Sequence, residues 1–113
     1  MAQILQFFPG QTVKIFLETK DGYGTRTDAS ELPIVNRVIL PGLTLAADYP
    51  QDMVLLDTGL YYFQFTLPTG AAAVGSYLVD VSYVNPANSA INSEIYHIIV
   101  SAPFGNYSAS VSV

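Results

Sequence analysis

The chain offers few groups that could do chemistry. His97 is its only histidine, and it contains no cysteine. A nucleophilic triad could therefore form only around His97, which lies in the strand-like run Ile95-Tyr96-His97-Ile98-Ile99. Strand interiors seldom host a general base, so the run favours a histidine on a half-buried sheet face. Asp48, Asp52 and Asp57 could gather around a calcium ion ahead of the Leu60 run, but their spacing matches no EF-hand, and isolated turn aspartates account for them equally well. Asp21-Gly22-Tyr23-Gly24 has two glycines but no following helix or lysine, which makes it a hairpin rather than a phosphate loop. Asp80 and Glu94 carry no glycosidase motif and suit a solvated face. Tyr23, Tyr49 and Tyr62 could stack on sugar rings. From these residues we expect no catalytic site, no cofactor and no metal centre.

Composition narrows the classes further. Four basic residues against nine acidic ones give a net charge of -5, the wrong sign for gripping phosphate backbones or anionic lipid. No nucleic-acid or membrane partner is expected. The longest apolar runs fall far short of the roughly 20 residues a membrane helix needs. The first residues lack the basic and continuously apolar regions of a secretory signal. With Met1 as initiator, the chain reads as a small gene product made in the cytoplasm. At 113 residues, half of them hydrophobic and 12% charged, it has the means to bury one core.

The elements that must carry these residues are strands. Thr12 to Thr19 alternates Val13, Ile15 and Leu17 against polar neighbours and ends at the Asp21-Gly22 turn. Leu32 to Leu40 is flanked by Pro33 and Pro41, which suggests an edge strand. Met53 to Leu56 is a short strand. Leu60 to Leu67 places Tyr61, Phe63, Phe65 and Leu67 on a core face, and Ser76 to Val84 does the same with Tyr77, Val79, Val81 and Tyr83. Ser93 to Ala102 closes the series. Ala71-Ala72-Ala73 is too short for a stable helix. About seven short strands with regular turns indicate an all-β antiparallel sandwich, with a small barrel as the alternative. A tyrosine just after a turn can bury its ring and return its hydroxyl to the backbone, and Tyr61 and Tyr77 are both placed to do so.

These runs carry a family resemblance. Pro9-Gly10-Gln11-Thr12-Val13, Asp21-Gly22, Gly59-Leu60-Tyr61 with Phe63-Gln64-Phe65-Thr66-Leu67-Pro68, and Val74-Gly75-Ser76-Tyr77-Leu78-Val79-Asp80-Val81 resemble the immunoglobulin-like modules of bacterial, macroglobulin-like and phage-virion proteins. The resemblance spans roughly Phe8 to Ala102. Asp57-Thr58-Gly59-Leu60-Tyr61 and Ala102-Pro103-Phe104-Gly105-Asn106 look most like small phage virion proteins. Asp57 to Phe63 is also similar to the antibody-type corner, but Phe63 stands where the second cysteine would be, which favours the phage or bacterial type. The resemblance implies an immunoglobulin-like sandwich over residues 9–102. It also implies a structural protein that decorates or cements a capsid shell, with protein subunits of a viral particle as partners and the virion as its location. The alternative is a cell-surface adhesin or carbohydrate-binding module.

The C-terminus adds to this expectation. No residue after Glu94 carries a formal charge, protonation of His97 aside. Within the tail, residues 103–113, Tyr107, Ala109, Val111 and Val113 alternate strictly with polar residues, mostly serine. The tail reads either as one more strand of its own sheet, as a disordered Ser-rich end, or as an arm that adds a strand to a neighbouring subunit. Residues 1–8 form an N-terminal arm or a first strand. The candidate interface residues are thus Tyr107, Ala109, Val111 and Val113 with Leu5 and Phe7, in a homo-oligomer or a shell-bound protein.

Overall fold

Alternation of apolar and polar residues along Thr12–Glu18, Leu60–Thr66 and Gly75–Val84 gives each segment one apolar face, and two such faces can be buried only against each other. In a computed structural model, which describes residues 2–102 (side chains from residue 6), they do so in an all-β sandwich. The strands are β1 (Ala2–Phe7), β2 (Thr12–Glu18), β3 (Ile34–Ile39), β4 (Gln51–Asp52), β5 (Val54–Asp57), β6 (Leu60–Thr66), β7 (Gly75–Val84) and β8 (Ile91–Val100). A five-stranded sheet runs β1-β8-β7-β3-β4 and a three-stranded sheet runs β2-β6-β5. Val13, Ile15, Leu17, Tyr61 and Phe63 of the smaller sheet meet Val35, Val38, Tyr77, Val79, Val81, Tyr96 and Ile98 of the larger in one buried cluster. Phe65 and Tyr83, expected inside, are only partly buried at its margin.

Three local departures from the sequence reading shape the sandwich. All strand pairs are antiparallel except β1 and β8, which run parallel from Ala2↔Ile95 to Phe7↔Val100. Ile34–Ile39 is not an edge strand: Pro33 and Pro41 lie just outside it, so it keeps its ladder donors and sits between β7 and β4. A bulge between Val35 and Arg37 lets Val35 and Val38 both face inward although three positions separate them. The strand expected from Met53 to Leu56 starts one residue later, at Val54, and a separate short strand precedes it. Gln51–Asp52 pairs with β3 in the larger sheet, Met53 is buried, and Val54–Asp57 pairs with β6 in the smaller one. Met53 is therefore the crossing point, held by its N–H donating to the Pro33 carbonyl at 2.8 Å.

Tyrosine hydroxyls fix the ends of the sandwich. Ala71–Ala73 forms one 3-10 turn, and the buried Tyr77 hydroxyl donates to the Ala73 carbonyl at 2.9 Å, a corner four residues long. The Tyr61 hydroxyl instead accepts the Ala29 N–H at 2.9 Å and anchors the 20–33 loop. The same loop is tied to the turn before β6, where Asp28 accepts the Gly59 N–H at 2.7 Å and the Gly59 carbonyl accepts from Thr19. Glycine is required at 59: its φ is +66°, and a Cβ would lie 2.7 Å from both the Thr19 carbonyl oxygen and the Thr27 nitrogen.

Candidate functional site

Residues considered for chemistry are dispersed by the fold. His97 lies in β8 between Leu78 and Ile4 in the register, half-buried on the outer face of the larger sheet. Asp48, Asp52 and Asp57 form no cluster; among the described residues no group of three or more His, Cys, Asp or Glu is placed to hold a metal ion. Asp57 instead accepts the Thr58 N–H and faces Arg26 at 3.7 Å. Tyr49 packs edge-on against Phe63 at 5.9 Å between ring centres, so it is not available to a sugar platform with Tyr23 and Tyr62. The Asp21 turn is closed by Gly24 N–H donating to the Asp21 carbonyl, with the positive φ at Gly24 rather than Gly22.

Asp80 and Glu94 also separate. Asp80 lies on the outer face, with Arg37 at 3.0 Å. Glu94 does not join it there: it stands opposite the buried Val81, on the inner face shared by Tyr96. Burial, helped by Glu94 and then Tyr83, holds the Tyr96 hydroxyl far above its ordinary value, while burial and then Glu94 raise that of Tyr83. Tyr83 also lines an open cleft of about 330 Å³ with Glu18, Lys20, Asp21 and Asn85. The lining of this cleft carries both signs of charge, Glu18 and Asp21 with Lys20.

The outer face and free edge of the smaller sheet are different in character. Phe16, Tyr62 and Val54 are cross-strand neighbours in register, so they form one row across all three strands. Phe16 is 46% and Val54 48% exposed, and the Lys14 ammonium sits 4.7 Å from the Tyr62 ring centre. At the end of the row, β5 presents three consecutive apolar residues, Val54, Leu55 and Leu56, each about half exposed. Leu55 is opposite the buried Tyr61 and so points toward the core, yet among the described residues about half of its surface stays uncovered. Among the described residues, no group outside β6 hydrogen-bonds to the backbone of 54–56.

Two of the other edges are partly covered, while β1, terminal in the larger sheet, has β8 as its one strand neighbour among the described residues. The 40–46 loop covers β3 beyond β4, with Ala46 N–H donating to Val38 and Leu40 N–H to Thr44. On β2 the Phe16 carbonyl accepts the Tyr96 hydroxyl at 2.7 Å. The short edge β4 is acidic and polar, whereas β5 has no polar residue before Asp57. An open apolar edge of this kind is suited to pairing with another strand.

The sequence-derived interface residues fall in three places. Leu5 is in β1, paired with Ile98, and Phe7 is half-buried against the core. Tyr107, Ala109, Val111 and Val113 lie outside the described residues. The sequence marked a short strand at Met53 to Leu56 but not its open edge, because Val54-Leu55-Leu56 is an apolar run without alternation, as in a strand buried on both faces. The chain matches no protein-family model and no curated protein.

Proposed function

We infer that this chain is a non-enzymatic assembly module, a virion component of the phage type that decorates or cements a capsid shell through protein–protein contacts. The observation that carries this reading is the open β5 edge, where, among the described residues, Val54, Leu55 and Leu56 leave apolar surface and ladder groups without a neighbouring strand. The strand order and the Tyr77–Ala73 corner support an immunoglobulin-like form of the sandwich. The sequence resemblance to phage-virion modules supplies the virion setting, and the charge of -5 disfavours nucleic acid as the ligand. Of the tyrosines considered for sugar binding, Tyr49 is held against Phe63, so no specific geometry favours the adhesin reading.

The test is to follow the chain by immunoblot through density-gradient purification of particles released from the organism that encodes it. Co-sedimentation with intact particles at a fixed ratio to the major shell protein is expected. Recovery only in the particle-free fractions would overturn the virion reading.

A further inference from the structure

We propose that the β5 edge of one copy receives the C-terminal segment 107–113 of a second copy, which adds as a fourth strand to the smaller sheet. This inference rests on the assembly reading above and names the partner of that edge. Among the described residues the smaller sheet has three strands against five in the larger, and Leu55 lies on the inner side of its last strand with about half its surface uncovered. The sequence Tyr107-Ser108-Ala109-Ser110-Val111-Ser112-Val113 suits such a position. Placed beside β5, its apolar set covers Leu55 on the core side and its serines face solvent.

Charge selects this occupant over a second β5. Antiparallel pairing of two β5 strands about Leu55 sets Asp57 of one copy opposite Met53 of the other, next to Asp52, so acid meets acid at both ends. The 107–113 segment has no charged side chain, so no side-chain repulsion of this kind arises along the pairing.

Length selects a second copy over the same one. β8 ends on the β1 side of the molecule, whereas β5 follows β4 by one residue and lies on the opposite side. A path from β8 past β7 and β3 to β4 covers about 14 Å of strand spacing, and the step between sheets adds about 10 Å. Residues 103–113 extend at most roughly 36 Å, so an intramolecular route leaves about 12 Å, too little for the whole of segment 107–113 to pair. A neighbouring copy can be met without that detour. Donor and acceptor surfaces differ, so the contact is head-to-tail and propagates into a ring or filament.

The experiment uses full-length chains with one surface disabled at a time. Leu55→Lys blocks the acceptor and keeps the tail; an Ala109→Pro, Val111→Pro double variant keeps β5 and removes two donors from the tail. Melting curves verify that both remain folded, and Leu55→Ser, which removes the apolar contact without adding a charge, replaces Leu55→Lys if the latter does not. In light scattering over a concentration series, the unmodified chain should gain mass while each variant alone stays at one chain. An equimolar mixture of the two should stop at two chains, because it holds one working tail and one working edge per pair. The proposal is overturned if the mixture stays at one chain, if the double-proline variant assembles like the unmodified protein, or if that protein never exceeds one chain. Failure here with co-sedimentation intact would sink the tail–β5 contact and leave the virion reading standing. Pairing in the mixture without particle association would do the reverse.

Discussion

The hydroxyl of Tyr96 in β8 donates to the backbone carbonyl of Phe16 in β2 at 2.7 Å, a hydrogen bond between the two sheets across 80 residues of sequence. It satisfies a carbonyl on the free side of β2 and fixes the smaller sheet under the β8 side of the larger. Tyr96→Phe keeps the ring but loses this bond, and should lower stability by about 1 kcal/mol near neutral pH. A urea titration of both proteins would measure it, and equal midpoints would show the bond to be idle.

Alkaline pH should unfold the domain through the same residue and its neighbours. Burial raises the hydroxyl pKa of Tyr96, Tyr77, Tyr83 and Tyr49 in the fold. Below about pH 10 both folded and unfolded chains keep these protons, and the stabilisation is complete. Above that value the unfolded chain releases them first, so stability falls as pH rises, by up to about 1.4 kcal/mol per pH unit for a tyrosine that stays protonated in the fold. Tyr96→Phe should flatten this slope between pH 10 and 11, and a stability profile unchanged by the substitution would contradict the assignment.

The corner at the other end makes a separate prediction. Tyr77 is fully buried, and its hydroxyl reaches the Ala73 carbonyl in the only described 3-10 turn. Tyr77→Phe strands that carbonyl and should cost about 1 to 3 kcal/mol. Calorimetry is the direct check.

Phe63 is in the buried cluster from the smaller sheet and touches both Tyr49 and Phe65 with its ring. Phe63→Ala should cost about 3 to 5 kcal/mol, enough to unfold many domains of this size. An unchanged melting temperature would show that the inner face has been misassigned.

Two glycines four residues beyond the ends of β2 and β5 or less respond oppositely to alanine. At Gly22 nothing lies within 4 Å of an added Cβ, so Gly22→Ala should be neutral or slightly stabilising. At Gly59 the Cβ meets Thr19 and Thr27 backbone atoms at 2.7 Å under a positive φ, and the loss should exceed about 1 kcal/mol. Parallel thermal melts of the two variants decide it.

The inward positions of β2, β6 and β7 were legible in the sequence because a strand's period of two is a local property: Val13, Ile15, Tyr61, Phe63, Tyr77, Val79 and Val81 are all buried. Tyr61 and Tyr77, whose hydroxyls return to the backbone, were legible because each follows a turn marked by glycine, whereas Tyr96 stands in mid-strand and its bond to Phe16 had no such signal. Which strand neighbours which is a different matter, because pairing depends on residues far apart in the chain. Only the tertiary structure decided that β1 runs parallel to β8, that Met53 carries the chain from one sheet to the other, and that a bulge sits before Arg37. Glu94 shows the consequence: a carboxylate in a strand suggests solvent, but its register opposite Val81 turns it inward toward Tyr96 and Tyr83. The β5 edge was hidden most completely. Three adjacent apolar residues, Val54, Leu55 and Leu56, have the same composition whether a strand is central or terminal in its sheet, and exposure is set by the presence of a neighbour rather than by the residues themselves.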